Sequence, residues 1–522
     1  MKLTYSGAVL LGLLQQVSAA PAGGDAQAQA QAGGLPFPFP DFFRAAEVHK
    51  AFKESWKGYY EYAFPHDNLH PLSNTFDDGR NGWGVTAIDA LSTAIIMRDF
   101  FTVKQILDFV PKIDFNTTKV ANEGISVFET NIRYLGGLIS AYDLLSGPYR
   151  YLSPDQRKVK PLLDQAKTLA DSLSVAFNTT SGVPDPTVFL NPEPRNSGSG
   201  RNNIAEIGTL VLEWTRLSDL TGDDKYAKLV QKAENYLLHP TGSPEAWPGL
   251  VGTFVGTDDG KFQDSNGGWS AYTDSFYEYL IKMYLYDSEA FGKYKERWIK
   301  AADSTIEHLS SHPTTREDLT FLSLYKAQTT IPASSHLASF AGGNFILGGI
   351  LLDEQKYIDY GIKLAESYYE TYKQAASGIG PEGFRWVDAA KPDGEQPPAD
   401  QADFYDEAGF WATSKPYILR PETMESIYYA YRVTGDRKYQ DIAWEAFGHM
   451  KKVAKAGSAF ASVRDVTKAD GGGNIDEMQS FWLAETLKYL YLIFAEESEV
   501  QVQAHGKNKF VFNTEAHPVH VR

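Results

Sequence analysis

The sequence predicts an all-α fold built from repeated helical hairpins. Apolar residues recur at helical spacing from about residue 43 to residue 497, with short loops between the segments. Three of these loops and their flanks resemble one another, which indicates a repeated unit. Residues 509–518 break the pattern, because apolar and polar residues alternate there as in a half-buried strand. Hairpins of uneven length that close on themselves form an α/α barrel, and an open superhelix is the alternative that periodicity leaves open.

The three similar segments are predicted junctions between helices. In residues 216–226 and 432–439 one helix ends at glycine, aspartate follows as a cap, and tyrosine opens the next helix. Residues 351–357 have a related pattern. We interpret the long polar loops 191–203 and 389–403 as edges of a site and not as linkers. Residues 41–522 are therefore predicted to form a single helical domain.

Composition limits the function classes. The 522 residues include 43% hydrophobic and 13% aromatic residues, enough for a large core. The formal net charge of −17 argues against a nucleic-acid partner, which would need a basic face. Cysteine is absent, so thiol catalysis and thiolate metal sites are excluded. We expect a soluble monomer without a membrane span.

The N-terminus predicts export. Lys2, the apolar run 8–14 and the small residues 17–20 form a secretory signal peptide, which is too short to span a bilayer. Residues 21–40 are a low-complexity and proline-rich lead-in that we expect to be disordered. For a secreted or secretory-lumen protein, the sequons at Asn116 and Asn178 are candidate glycosylation sites.

Glu129 and Asp274 are candidate functional carboxylates, but a purely structural role would also explain each of them. Glu129 has capping-box spacing to Ser126 and forms an i,i+4 pair with Arg133. The glycines that follow in the same helix imply close packing or a kink. Asp274 is a candidate helix cap, but it stacks a like charge against Glu278 one turn later. That pair is better explained by a cation or sugar between the two acids.

The remaining carboxylates also lie near predicted helix starts. Glu422 follows Pro421 in the first helical turn and shares a face with Glu425. Glu485 is a further acid that a neighbouring lysine could pair with. In a barrel of hairpins the helix starts gather at the ends, so these acids would converge there. Two such acids, one protonated and one ionised, are what glycoside hydrolysis requires.

The C-terminal strand has no obvious sheet to join. It is either a frayed tail or a plug that carries Thr514 into the helical body. Its sequence Phe512-Asn-Thr-Glu-Ala-His-Pro518 resembles the C-terminal signature of glycoside hydrolase family 47, the class I α-1,2-mannosidases. Residues 83–91, 210–218 and 336–340 resemble other motifs of this family, in the same order. The resemblance extends from about residue 45 to the C-terminus. Within the family, the sequence is most similar in character to the secreted fungal enzymes.

The resemblance implies an (α/α)7 barrel plugged at one end by the C-terminal β-strand or hairpin. It also implies a calcium-dependent, inverting exo-α-1,2-mannosidase that trims high-mannose N-glycans. By this analogy Glu129 is the general acid with Asp274 as partner or alternative donor, Glu422 is the base, and Thr514 holds Ca²⁺ in an oxygen-only shell. The further residues that match pocket positions of the family are Arg133, His336, Arg420, Glu425, Phe481, Glu485 and Glu515.

The sequence departs from the family pattern at several positions. Ser339 and Tyr368 occupy the positions of a cysteine pair that usually forms a disulfide. Asn68 and Gln479 replace acids near a substrate edge, and Tyr272 lies at a position associated with branch preference. Two other functions are kept as alternatives: a mannose-binding quality-control lectin on the same scaffold, and a different α/α-barrel glycosidase. The lectin hypothesis does not explain why the candidate catalytic acids Glu129, Asp274 and Glu422 are all present. The hypothesis of another glycosidase does not explain the motif around Thr514.

Overall fold

The computed structural model describes residues 40–522, and about half of this length is helical. The predicted signal peptide and nearly all of the predicted lead-in lie outside the described residues. Within residues 40–522 no helix combines the length and the apolar character needed to cross a bilayer. In chain order the α-helices are α1 (Phe42–Tyr62), α2 (Val85–Ile96), α3 (Phe100–Phe109), α4 (Val127–Thr130), α5 (Gly136–Ser146), α6 (Lys160–Leu173), α7 (Ile204–Gly208), α8 (Val211–Thr221), α9 (Lys225–Leu238), α10 (Asp274–Tyr286), α11 (Gly292–Ser304), α12 (Ala341–Leu352), α13 (Gln355–Gln374), α14 (Ala402–Ala408), α15 (Glu422–Thr434), α16 (Arg437–Ala454) and α17 (Leu487–Phe494).

Other helical turns extend or join these helices. One π-helical segment joins α4 to α5, one follows α11, and one leads into α17; in order they are Asn131–Leu135, Thr305–Leu309 and Trp482–Thr486. The 3₁₀ turns are Val110–Lys112, Arg150–Leu152, Gln156–Lys158, Ser174–Phe177, Leu337–Phe340 and Ala399–Gln401.

The helices form seven pairs in two concentric rings; six pairs are hairpins, and the seventh joins the last helix to the first. The pairs are α17 with α1, α2 with α3, α5 with α6, α8 with α9, α10 with α11, α12 with α13, and α15 with α16. Every residue of α2 is buried, as expected for an inner helix. By contrast, α6 buries a single stripe, as expected for an outer helix: Leu162, Ala166, Leu169, Ala170 and Leu173.

The inner ring closes on itself. Neighbouring inner helices are in contact in the order α2, α5, α8, α10, α12, α15 and α17, and the π-helical lead into α17 contacts α2 again. The chain is therefore an (α/α)7 barrel, as predicted, and the open superhelix is excluded. The predicted hairpin junctions are also present, because Gly222 ends α8 and Gly435 ends α15 in the left-handed conformation. At the third junction Asp353 adopts that conformation in place of glycine.

Short antiparallel strands occupy the loops between the helices, in sheets of two or three. They are β1 (Asn68–His70), β2 (Thr75–Asp77), β3 (Ile125–Ser126), β4 (Thr187–Phe189), β5 (Arg195–Asn196), β6 (Arg201–Asn203), β7 (Phe254–Gly256), β8 (Asn266–Gly267), β9 (Ser310–Ser311), β10 (Phe321–Leu322), β11 (Leu324–Lys326), β12 (Thr329–Ile331), β13 (Ala333–Ser335), β14 (Gly383–Arg385), β15 (Trp411–Ser414), β16 (Lys455–Ala456), β17 (Ala459–Phe460), β18 (Ser462–Val463), β19 (Asn474–Ile475), β20 (Phe510–Phe512) and β21 (Pro518–His520).

The C-terminal strands β20 and β21 form a hairpin that fills the barrel. Phe512 pairs with Pro518, and the turn 513–517 lies between them. The hairpin contacts the inner helices α5 and α10. A Cβ atom at Gly136 would lie 2.5 Å from Asn513 Nδ2, so the predicted close packing of this helical glycine makes room for the turn. The C-terminus is the predicted plug and not a frayed tail.

Buried polar groups hold the turn in place. His517 Nδ1 lies 2.8 Å from Ser92 Oγ, and its Nε2 lies 3.2 Å from Asp89 Oδ1. Burial lowers the pKa of His517 to about 4, so the ring is neutral at physiological pH. Lys488 Nζ donates to Ser92 Oγ at 2.9 Å and to the carbonyl oxygen of Ala516 at 2.5 Å. These bonds join α2, α17 and the plug.

Candidate active site

A cavity of about 460 Å³ opens where several inner helices begin and the plug turns. The first turns of α4, α10 and α15 contribute acids to it, so the predicted convergence of helix starts is observed. Nearly all of the predicted catalytic and binding residues line this cavity: Glu129, Arg133, Asp274, Arg420, Glu422, Glu425, Phe481, Glu485, Thr514 and Glu515. His336 lies behind Glu422 and does not line the cavity.

Glu129 is held by its own helix and by two arginines. Ser126 Oγ accepts a hydrogen bond from Glu129 N at 3.2 Å, which is the predicted cap. Arg133 Nε donates to Glu129 Oε2 at 2.7 Å, and Arg80 Nη2 lies 3.3 Å from Glu129 Oε1. Burial alone would raise the pKa of Glu129, but the charges of Arg133 and Arg80 outweigh it and hold the pKa below its ordinary value.

The surroundings of Asp274 shift its pKa in the direction opposite to that of Glu129. It is the first residue of α10 and does not cap the helix, because Thr273 holds the cap position. Burial, reinforced by the charges of Glu278 and Glu422, raises the pKa of Asp274 to about 7. Glu278 itself pairs with Lys282 one turn further along the helix. Asp274 therefore retains a proton at pH values where an ordinary aspartate is ionised.

Glu422, which lines the same cavity, is the ionised acid. His336 Nδ1 lies 2.8 Å from Glu422 Oε2, and His336 Nε2 lies 2.6 Å from Tyr372 OH. Arg420 Nη1 lies 3.5 Å from Glu422 Oε1, while Arg420 Nε donates to both carboxylate oxygens of Glu382 at 2.8 Å. Burial opposes ionisation of Glu422, but His336 and Arg420 together hold its pKa below the ordinary value.

Three further acids form the floor of the cavity. Burial, opposed by Lys282 and reinforced by Glu278, raises the pKa of Glu425 to about 8. Burial also raises the pKa values of Glu485 and Glu515 well above the ordinary range. The proposed structural explanation for Glu485, a pair with a neighbouring lysine, is wrong, because Lys488 donates to the plug instead.

An aromatic ring completes the floor. Phe481 lies between two guanidinium groups, with Arg133 Cζ 5.5 Å and Arg420 Cζ 5.8 Å from its ring centroid. A sugar ring placed on this face would meet an apolar surface flanked by hydrogen-bond donors.

Thr514 offers oxygen atoms to the cavity. Its backbone N–H donates to Tyr279 OH at 3.2 Å, whereas neither its hydroxyl nor its carbonyl oxygen has a hydrogen-bond partner within residues 40–522. Nor do three His, Asp or Glu side chains in that range converge closely enough to ligate one ion directly. Two free oxygens among buried acids fit a hard cation whose other ligands are water and substrate hydroxyls. The donor set thus fits Ca²⁺.

The family assignment follows from the sequence over this whole body. Residues 51–521 match the model of glycosyl hydrolase family 47. The chain belongs to glycosyl hydrolase family 47. It is 51% identical over 479 residues to mannosyl-oligosaccharide alpha-1,2-mannosidase 1B of Aspergillus oryzae, with 92% of each chain covered. Mannosyl-oligosaccharide alpha-1,2-mannosidase of Penicillium citrinum is 50% identical over 479 residues, which cover 92% of this chain and 92% of that protein.

A solved structure of the same family has the same fold. The alpha-1,2-mannosidase from Trichoderma reesei superposes with a TM-score of 0.92 at 66% sequence identity, covering 93% of this chain and 100% of that one. A sugar epimerase from a ruminal bacterium matches with a TM-score of 0.51 at 12% identity, which shows a shared fold alone. This family 47 chain is therefore a glycoside hydrolase with an (α/α)7 barrel.

The two positions at which the resemblance implies a cysteine pair, Ser339 and Tyr368, hold hydrogen-bonded side chains. Ser339 Oγ donates to the carbonyl oxygen of His336 at 2.5 Å. Tyr368 OH lies 2.6 Å from Ser334 Oγ and accepts from Leu322 N at 3.3 Å. Each substitute thus satisfies its polar group inside the barrel.

Other sequence predictions fall outside the cavity. Asn116 and Asn178 are exposed and do not line it. Of the two predicted edge loops, residues 191–203 reach the cavity through Asn203, whereas residues 389–403 contribute nothing to its lining.

Sequence reasoning missed several residues of the site. Arg80, Asn203 and Glu206 line the cavity without having been singled out. Asn203 and Glu206 show only the spacing of a helix cap, and Asn203 Oδ1 does accept from Glu206 N at 3.0 Å. Arg80 lies in a loop with no recognisable pattern. Glu278 lines the cavity too, and its like-charge spacing to Asp274 was the available signal.

Proposed function

We propose that this family 47 enzyme is a calcium-dependent, inverting exo-α-1,2-mannosidase that removes terminal α-1,2-linked mannose from high-mannose N-glycans. The names of its relatives support the bond and the sugar. The observation that carries the mechanism is a pair of partly buried acids in one cavity whose pKa values shift in opposite directions. The pKa of Asp274 is raised to about 7, whereas the pKa of Glu422 is lowered. Acids whose pKa values are pushed apart in this way suit a donor and a base.

Asp274 is the better proton donor of the two candidates on its side. A donor must be protonated at the working pH, and Asp274 meets this condition through burial and repulsion. Glu129 is held ionised by Arg133 and Arg80, so its role is to accept hydrogen bonds from the sugar or from an intervening water. The protonated acid donates to the glycosidic oxygen as the bond to the anomeric carbon breaks.

Glu422 is the general base. Its ionised carboxylate, oriented by His336, accepts a proton from a water that attacks the anomeric carbon from the face opposite the leaving group. Attack from that face inverts the configuration at this carbon. Arg420 is in turn fixed by Glu382, so the charge that keeps Glu422 ionised has a defined position.

Thr514 would hold calcium through its hydroxyl and carbonyl oxygens. The chemistry that a bound calcium ion supplies is orientation of the sugar hydroxyls and activation of water. The ring of Phe481 supports the apolar face of the sugar, and Arg133 and Arg420 are placed to donate to its hydroxyls. The floor acids accept from the same hydroxyls in their protonated or ionised forms.

The decisive experiment measures mannose release from α-1,2-linked mannobiose and from a high-mannose glycan, before and after chelation. We expect release that stops with chelator, returns with calcium, and gives β-mannose as the first product seen by NMR. Glycan binding without release would support the lectin alternative instead. Release of α-mannose as the first product would refute inversion, and release by protein shown by metal analysis to be calcium-free would refute calcium dependence.

We also propose an exported, monomeric glycoprotein. The exposed side chains of Asn116 and Asn178 are accessible to a glycosyltransferase. A mass decrease on enzymatic deglycosylation that disappears in the double Asn→Gln variant would establish these sites. Equal masses before and after deglycosylation of the secreted protein would refute them.

A further inference from the structure

Glu213 is a buried carboxyl group that the proposed reaction does not use. It lies on the inner helix α8, is fully buried, and does not line the cavity. Its Oε1 atom accepts two hydrogen bonds, from Tyr279 OH at 2.7 Å and from Asn513 Nδ2 at 2.9 Å. Its Oε2 atom has no hydrogen-bond partner in the described part of the chain.

Both partners of Glu213 lead to Thr514. Tyr279 donates its proton to Glu213 and accepts from the backbone N–H of Thr514 at 3.2 Å. Asn513 precedes Thr514, and its Oδ1 atom accepts from Glu515 N at 3.0 Å and from His517 N at 2.8 Å. Glu213 Oε1 therefore holds both residues of the Asn513–Thr514 peptide: Asn513 through its side chain, and Thr514 through Tyr279.

Burial alone does not explain this arrangement. Glu234 on α9 is also a buried carboxyl, 1% exposed, and its Oε1 atom has no partner within residues 40–522. Burial raises the pKa of Glu234 well above its ordinary value, as it raises the pKa of Glu213 to about 7. Glu213 differs from Glu234 in that it contacts the plug turn, so the two residues provide a matched comparison.

We propose that Glu213 is a positioning residue that holds the oxygens of Thr514 in place for the cation, through Tyr279 on one side and Asn513 on the other. The inference rests on the proposed function, because it assumes that Thr514 binds calcium. Residues that orient a metal ligand in this way typically change metal affinity about 10- to 100-fold when removed. Glu213→Ala should weaken calcium affinity by that factor.

The test is calcium titration of the chelator-treated full chain by calorimetry, with thermal unfolding of each metal-free variant measured in parallel. Glu213→Gln keeps an acceptor oxygen at the Oε1 position and should bind calcium with nearly wild-type affinity. Glu234→Ala should lower the unfolding temperature without changing calcium affinity. If Glu213→Ala does not fold, Tyr279→Phe decides, since it removes the hydroxyl that accepts from Thr514 N and should also weaken binding.

The outcomes separate the two proposals. Wild-type affinity in Glu213→Ala, or in Tyr279→Phe if the first variant is unfolded, would overturn the positioning role and leave the proposed function intact. An equal loss of affinity in Glu234→Ala would also overturn it, because the effect would then come from general destabilisation. A wild-type chain that takes up no calcium would refute the metal dependence, and the positioning role with it.

Discussion

Asp274→Asn tests which acid donates the proton. Asparagine has nearly the shape of aspartate, and its amide oxygen can keep the bond that Asp274 Oδ1 accepts from Ser275 N at 2.8 Å. The fold should therefore persist, while the side chain loses its acidic proton. Removal of a positioned general acid slows a reaction about 10²- to 10⁴-fold. We expect kcat for mannobiose hydrolysis to fall within that range.

The pH profile gives the sharper test. With a pKa of about 7, Asp274 is about nine-tenths protonated at pH 6, roughly 150-fold more than an aspartic acid with the ordinary value. In the wild type kcat/KM should decline on the alkaline side at or somewhat below pH 7, because a bound cation lowers the pKa of nearby acids. That decline should be absent from Asp274→Asn and present in Glu129→Gln. The reverse result would make Glu129 the donor and refute the electrostatic argument.

Three further changes probe the base, the metal and the plug. Glu422→Gln should reduce kcat at least about 10²-fold while glycan binding stays measurable, and near-normal turnover would refute its role as base. Thr514→Ala should lose calcium on gel filtration, so an unchanged metal content would refute the assigned ligand. Gly136→Ala places a Cβ atom 2.5 Å from Asn513 Nδ2 and should lower the free energy of unfolding by about 1–3 kcal/mol. The control Gly448→Ala, on α16 with open space around it, should stabilise the chain by up to about 1 kcal/mol, and equal effects of the two changes would refute the packing argument.

The fold was predictable because local signals and tertiary structure agree. Helical periodicity, glycine at two hairpin junctions and the strand at residues 510–512 all describe what is observed. The closed ring was not predictable from periodicity, since closure depends on contacts between α2 and the π-helical lead into α17, which are nearly 400 residues apart. The family resemblance supplied the closure, and the packing of the inner helices confirms it.

The site was predictable in its residues but less so in its charges. Each acid lies where the sequence motifs indicate, but the ionisation state depends on neighbours from other helices. Arg80 comes from a loop without a pattern, and together with Arg133 it sets the charge of Glu129. Burial at the helix start, together with neighbouring acids, decides the protonation of Asp274 against the expected effect of the helix dipole. Neighbouring charges and burial that come from distant parts of the chain cannot be predicted from local sequence motifs.

The concentration of buried acids links metal, pH and stability. Asp274 and Glu213, with pKa values of about 7, and Glu425, at about 8, bind protons more tightly in the folded chain than in the unfolded chain. The metal-free protein should therefore lose stability as pH rises from about 4.5 to 7, by about 1.4 kcal/mol per unit for each net proton. His517, with its pKa lowered to about 4, makes the folded protein more stable as pH rises to 6.5. This single group does not cancel the loss of stability from at least three acids. A cation near the ionised acids offsets their repulsion, so calcium should raise the unfolding temperature more at pH 7 than at pH 5. Equal stabilisation at both pH values would show that these acids do not interact with the metal.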